Sequence, residues 1–249
     1  MPPIRAPRKN RLHKHRGRGL PAVFLLRLVL LFALPAAAMA TESICFGIPA
    51  SGRLANGVQL PLEGKNYVAY SSLAVAAGRT YVHSRVKEIV LAAYKTMESA
   101  MPDKVFVYGE TGWPAGGRFR PHRTHQNGLS VDFMVPVLDK KTGRSVRLPT
   151  SPFNQFGYGI EFDRMGQASE LQIDFEAMAE HLYALHLAAS QRGSRISLVI
   201  FDPALMPKLF QTVRGPYLKR TLPFIKGPAW VRHDEHYHID FAVPCHAHD

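Results

Sequence analysis

The chain has 249 residues, 46% hydrophobic, 20% charged and 10% aromatic, which is ordinary globular composition and excludes disorder, coiled coil and collagen-like repeat as whole-chain descriptions. The formal net charge of +12 suggests a nucleic-acid partner at first sight. Eight of the basic residues and no acidic one fall within residues 1–40, leaving residues 41–249 at +4, so the basicity belongs to the N-terminal segment and argues against nucleic-acid binding by the body of the protein.

Residues 1–40 have the three parts of a secretory signal. A basic stretch runs to Arg18, an apolar stretch spans Leu20 to Leu34 with one interruption at Arg27, and the small-residue run Ala36-Ala37-Ala38-Met39-Ala40 offers a cleavage site after Ala40. No Arg-Arg pair precedes the apolar stretch, which favours the general secretory route. A retained anchor and a basic nucleic-acid arm are the alternatives. The apolar stretch falls short of the roughly 20 residues of a spanning helix, so no stable membrane insertion is expected after cleavage. A periplasmic protein is the expectation.

Beyond the signal, 41–249 carries no repeat or low-complexity linker and is read as one domain. Residues 45–72, rich in Gly, Pro and Asn, read as irregular. Val86, Ile89, Val90, Ala93 and Met97 recur at helical spacing, with Ser84 as the candidate cap. Lys104 to Tyr108 and Val131 to Val137 read as strands on either side of a glycine- and proline-rich loop at 109–121. An irregular stretch to about Gln172 follows. Asp174 is placed to cap a helix running to Arg192, with Phe175, Met178, Leu182, Leu185 and Ala189 inward and Gly193 as its stop. Ile196 to Phe201 reads as a strand, Pro203 to Val213 as a short helix and His236 to Val243 as a closing strand. The sum is an α+β domain with a mainly antiparallel sheet.

The chain has two cysteines, Cys45 and Cys245, near the two ends of the exported segment. An even count in an exported protein points to a disulfide tying the termini together; two buried free thiols are the other reading.

The chemistry-bearing residues are histidines in two groups, His122-x-x-His125-x-x-Gly128-x-x-x-Asp132 and His233-Asp234-Glu235-His236-Tyr237-His238-Ile239-Asp240. If the second group is a strand, His236, His238 and Asp240 share one face and Tyr237, Ile239 and Phe241 the other. Val131 and Phe133 flank Asp132 and belong to the core, so Asp132 faces away from it. Two imidazoles and a carboxylate suit Zn²⁺. No thiolate is free if the cysteines are bridged, and no HExxH helix is present, so a hydrolytic zinc site has to come from the H-x6-D and H-x-H pair. A lone His-x-His is more often a surface pair, and the weight rests on the two groups together. His181 and His186 read as ordinary surface or core residues, and His246 and His248 as tail residues.

The string Gly116-Gly117 … His122-x-x-His125-Gln126-x-Gly128-x-x-Val131-Asp132, followed by His233-x-x-His236-x-His238, resembles the penicillin-insensitive murein endopeptidases, relatives of lysostaphin-type and D-Ala-D-Ala metallopeptidases and of the Hedgehog signalling domain. The resemblance implies a small central antiparallel sheet with flanking helices. It implies His125, Asp132 and His238 as zinc ligands, His122 as a further ligand, His236 as general base and His233 as a cleft histidine. It implies peptidoglycan stem peptides as partner, with hydrolysis of the D-Ala–diaminopimelate cross-link; a D,D-carboxypeptidase and a non-catalytic exported binding module are the alternatives. Trp113, Arg118 and Arg120, in the loop before the first group, are candidate substrate-binding residues, the arginines for a stem-peptide carboxylate or as plain surface charges. Trp230 and Tyr237 either wall the cleft or belong to the core. Two departures stand out. Ser130 replaces an Asp that the family often carries two residues before the ligand Asp, which removes a supporting carboxylate. No Asp/His pair matches the second, interfacial zinc of some relatives.

Overall fold

A computed structural model describes residues 41–227 and 229–248, so the signal-like segment lies outside the described residues. In chain order the elements are β1 (Ile44–Ile48), β2 (Ser51–Ala55), β3 (Val58–Gln59), β4 (Tyr67–Ala69), α1 (Ser72–Ala76), β5 (Tyr81–Val82), α2 (Ser84–Ala100), β6 (Phe106–Tyr108), β7 (Ser130–Met134), β8 (Val137–Asp139), β9 (Ser145–Val146), β10 (Gln167–Ala168), β11 (Leu171–Ile173), α3 (Phe175–Ser190), β12 (Arg195–Ile200), α4 (Met206–Phe210), α5 (Gly215–Thr221) and β13 (His236–Ala242), with a 3₁₀ segment at Pro152–Gly157. This is a mixed α/β fold with several sheets and few long helices.

A five-stranded sheet in the order β12-β13-β7-β6-β4 carries the architecture. Its pairings are antiparallel except β4 with β6, which is parallel. A four-stranded sheet (β10-β11-β8-β9) and two hairpin-like pairs, β1-β2 and β3-β5, complete the β structure. Alternation sorts the central strands into two faces. Val131, Phe133, Tyr237, Ile239 and Phe241 are buried with Ile89, Tyr94 and Met97 of α2 and Met178, Leu182 and Leu185 of α3. Phe133 stacks on Tyr237 at 5.5 Å, and Tyr94 meets Phe133 edge-on at 6.4 Å. Burying side chains of this size contributes about 1.5–3 kcal/mol each. That apolar face anchors a sheet whose opposite face can then be polar.

Local chemistry explains where the elements begin. Asp174 caps α3, accepting from the Ala177 amide at 3.0 Å, as its position before the apolar periodicity predicts. At α2 the cap is His83 and not Ser84: His83 Nδ1 accepts from the Arg85 amide at 3.1 Å, while Ser84 Oγ accepts from the Ser43 amide. The stretch 45–72, expected to be irregular, holds nearly all of β1, then β2 to β4, and ends at the first residue of α1. Its glycines look like breakers, yet Gly47 and Gly52 face each other across the β1-β2 hairpin, and a Cβ on Gly52 would lie 2.2 Å from the Phe46 carbonyl oxygen. The stretch to Gln172, also expected to be irregular, holds four short strands and the 3₁₀ segment, where Gln155 (φ 53°) and Phe156 (φ 56°) are left-handed. That conformation costs non-glycine residues about 1–2 kcal/mol each. A second short helix, α5, follows the expected one; Pro216 sits in its first turn, where a missing N–H is harmless.

Cys45 and Cys245 are bonded and close a loop of 200 residues. Chain-entropy theory assigns about 5 kcal/mol to so long a closure. Among the described residues, no helix is long and apolar enough to cross a membrane.

His181 resolves to the core. It is fully buried on α3, stacked on Tyr94 at 5.1 Å and on Phe106 at 4.9 Å, with Nδ1 2.5 Å from the Tyr237 hydroxyl. Burial pushes its pKa down to about 3. The unfolded chain protonates this residue near pH 6.5 and the folded one does not. Its titration therefore leaves stability unchanged above pH 6.5, and as pH falls from there toward 3 stability drops by about 1.4 kcal/mol per unit. Urea titrations from pH 7 to pH 4.5 should show His181→Phe losing less stability than the parent protein by that increment; parallel curves would contradict it.

Candidate metal centre

The polar face of the central sheet is organised around Asp132. His238 and Asp132 are register partners on β13 and β7, so their side chains meet on one face. His238 Nδ1 lies 2.8 Å from Asp132 Oδ1. His125 Nε2 lies 3.2 Å from the same oxygen. His122 Nδ1 and His236 Nε2 lie 3.7 and 3.9 Å from Oδ2. The Asp132 side chain is fully buried. His125 reaches it from a loop in which it is itself left-handed (φ 68°), and Gly128 (φ 77°) turns that loop into β7; a Cβ there would lie 2.8 Å from the His83 amide nitrogen.

The outer nitrogen of each imidazole is tied to an acceptor. His125 Nδ1 is 3.1 Å from the Thr111 carbonyl oxygen, His238 Nε2 is 2.9 Å from Asp240 Oδ1, and His122 Nε2 is 2.5 Å from Glu110 Oε2. Carbonyl and carboxylate oxygens only accept, so these nitrogens carry protons; the inner nitrogens of His122 and His125 are left to present lone pairs, while that of His238, 2.8 Å from Asp132 Oδ1, holds a proton that a cation would displace. His125 Nε2 is buried and has no hydrogen-bond partner. Two lone pairs and a carboxylate converge here, with His238 as a third imidazole on the same carboxylate, an arrangement suited to a cation. His122, His125 and Asp132 offer ligand atoms within 4.8 Å of one another. This donor set fits a metal ion.

The electrostatics agree. Burial alone would raise the Asp132 pKa, but the surrounding imidazoles, His125 and His236 foremost, hold it well below the usual carboxylate range. Burial opposes charge on His238, yet Asp240 and Asp132 flank it and push its pKa up to about 10, so the site attracts positive charge. Burial likewise opposes charge on Glu110, but His122 and Arg79 bring it down to about 2.

A cleft of about 840 Å³ opens onto the cluster, with His122, His233, His236 and His238 in its wall. His236 Nδ1 is 2.8 Å from Glu235 Oε1, so it donates to that carboxylate and its Nε2 lone pair faces inward. His233 donates from Nδ1 to the Val231 carbonyl, and its ring lies 4.5 Å from that of His236. Burial lowers both histidines to about 4. Two histidine groups about a hundred residues apart thus converge on one carboxylate in a cleft. The sequence profile of the penicillin-insensitive murein endopeptidases matches residues 45–249. The chain belongs to that family. No curated protein matches the chain.

Family membership makes the protein a hydrolase acting on murein, with peptidoglycan as its substrate. In this member of the family, the candidate loop residues Trp113, Arg118 and Arg120 do not line the cleft. Trp113 packs edge-on against Phe119 at 5.2 Å under the Arg79 guanidinium, and Arg118 and Arg120 are exposed. Trp230 lines the cleft, whereas Tyr237 is core.

The missing Asp at position 130 is compensated. Ser130 Oγ donates to Asp240 at 2.5 Å, and Asp240 supplies the carboxylate that holds His238. Other residues of the site went unread in the sequence. Glu110 receives Tyr70 at 2.7 Å and the Arg79 guanidinium. Tyr158 donates to Asp132 Oδ2 at 3.0 Å and accepts from the Glu110 amide at 2.9 Å. Glu235 lies within the His233–His238 string, where the sequence shows it as a carboxylate beside the candidate base.

Proposed function

We propose that this protein is a zinc-dependent endopeptidase that hydrolyses D-Ala–diaminopimelate cross-links, exported by residues 1–40 and acting in the periplasm as one domain, 41–249, with the fold of the D-Ala-D-Ala metallopeptidase superfamily. The observation that carries the reading is the convergence of His122, His125 and His238 on the buried Asp132 carboxylate, with His122, His125 and Asp132 offering ligand atoms within 4.8 Å of one another. His125, Asp132 and His238 hold the ion, with His122 as a further ligand; the nitrogen and oxygen donors suit zinc. A bound Zn²⁺ supplies Lewis acidity, polarising a carbonyl and acidifying water.

The remaining chemistry belongs to the chain's own residues. His236 takes a proton at Nε2 from the attacking water and returns it to the leaving amine. Glu235 holds the Nδ1 proton of His236, which fixes the tautomer that this step needs. His233, beside His236 in the cleft wall, steadies charge developing on the carbonyl oxygen. Of the cleft arginines, Arg79 is paired with Glu110, and Arg232 with Glu161 at 2.8 Å and Asp234 at 2.9 Å. A Glu235–His236 pair beside a full donor set speaks against a non-catalytic module.

The test is to incubate the exported protein with cross-linked muropeptide dimers and weigh the products. Dimers should become monomers, a chelator should abolish the conversion, added zinc should restore it, and penicillin should neither inhibit nor leave a covalent adduct. Loss of a terminal D-Ala without dimer cleavage would make it a carboxypeptidase; activity indifferent to the chelator would remove the metal.

A further inference from the structure

We infer that Tyr158 is a positioning residue for Asp132, and that the strained turn at Asn154–Gly157 exists to deliver it. This rests on the reading of Asp132 as a metal ligand.

Among the described residues, the hydrogen bond from the Tyr158 hydroxyl is the one that Asp132 Oδ2 receives. The imidazole nitrogens nearest that oxygen, at 3.7 and 3.9 Å, are beyond hydrogen-bond distance. Oδ1 is the oxygen that faces His125 and His238. The phenol therefore holds the carboxylate by its far oxygen and sets the plane in which the near one meets the imidazoles. The hydroxyl is itself fixed, because it accepts the Glu110 amide, and Gly109 leaves the space it fills: a Cβ there would lie 2.5 Å from it. Glu110 is also the carboxylate that orients His122. One phenol thus ties two members of the donor set to the same strand end.

The backbone before Tyr158 is unusual in the same direction. Gln155 and Phe156 are consecutive left-handed non-glycine residues, followed by Gly157 at φ 104°. Such strain persists only where surrounding contacts enforce it, and it gathers at functional sites. Here Asn154 enforces it: its Oδ1 accepts from the amides of Ser151 and Gly157, both at 2.9 Å, and its Nδ2 donates to the Pro149 carbonyl. Gln155, Phe156 and Tyr158 all line the cleft, and Phe156 meets Tyr70 edge-on at 6.2 Å.

The experiment is a chelator-competition titration of zinc on the whole exported protein, its Tyr158→Phe variant and its Asn154→Ala variant, with visible spectra of the Co²⁺-loaded forms and circular dichroism as a check on folding. Partners that orient metal ligands are typically worth 10–100-fold in metal affinity. Tyr158→Phe should bind zinc about 10–100-fold more weakly with an unchanged fold and shifted Co²⁺ bands, and Asn154→Ala should show the lower end of that loss. A Tyr158→Phe protein that is less heat-stable but binds zinc as the parent does, with the same Co²⁺ spectrum, would overturn the inference. If Tyr158→Phe does not fold, Asn154→Ala decides, since its side chain lies outside the cleft: parental affinity there overturns it. A parent protein that binds no zinc at all would instead remove the metal reading itself.

Discussion

Asp132→Asn should lose metal and activity together, the largest effect of any single substitution in this protein. Among the described residues, Asp132 is the one anion directly facing the inner nitrogens of His122, His125 and His238, and it is fully buried. Asparagine keeps the volume but removes the charge, and its amide group presents a donor where a lone pair is required. Zinc affinity should fall by more than the roughly 100-fold that marks the upper end for partners outside the ligand set. Turnover should drop to background. Metal content by mass spectrometry and muropeptide cleavage check both halves. A variant that retains stoichiometric zinc and cuts dimers would mean that Asp132 is not a ligand.

His236→Ala separates metal holding from proton transfer. His236 Nε2 is 3.9 Å from Asp132 and opens on the cleft, and its other nitrogen is committed to Glu235. Its removal leaves the proposed donors His122, His125, Asp132 and His238 in place. Zinc content should stay at the parent level while kcat falls by about 10²–10⁴-fold, the usual contribution of a general base. KM should change little. Near-parental kcat would move the base elsewhere, and loss of zinc would make His236 a ligand.

Much of this site was legible before any coordinates. Alternation along 236–241 places His236, His238 and Asp240 on one face and Tyr237, Ile239 and Phe241 in the core, and the structure has them there. Asp174 before an apolar 3.6-residue periodicity marks the start of α3, because capping is a local transaction between a side chain and the next turn's amides. The strands of 45–72 were not legible. They are two to five residues long and broken by glycines, and a strand that short is stabilised by its partner and not by its own propensity. Tyr158 was equally invisible, lying between two glycines in a stretch with no periodicity. Trp113, Arg118 and Arg120 drew attention by sitting next to the first histidine group in sequence. The cleft opens instead toward α1, the 3₁₀ turn and the segment before β13.

The residue types, their alternation and their capping positions are thus properties of the sequence by itself. It determined that two imidazole-rich segments and one inward carboxylate exist, and that the chain ends carry a pairable cysteine each. For His122 and His125, the nitrogen that holds the proton was decided by tertiary structure. The acceptors that settle it, Glu110 and Thr111, come from other segments, whereas His238 meets Asp240 two residues along its own strand, itself held by Ser130 of β7. A lone pair's direction depends on a neighbour within about 3 Å. Glu110 and Thr111 lie 12 and 14 residues before the histidines they orient, across a loop whose path no local pattern announces.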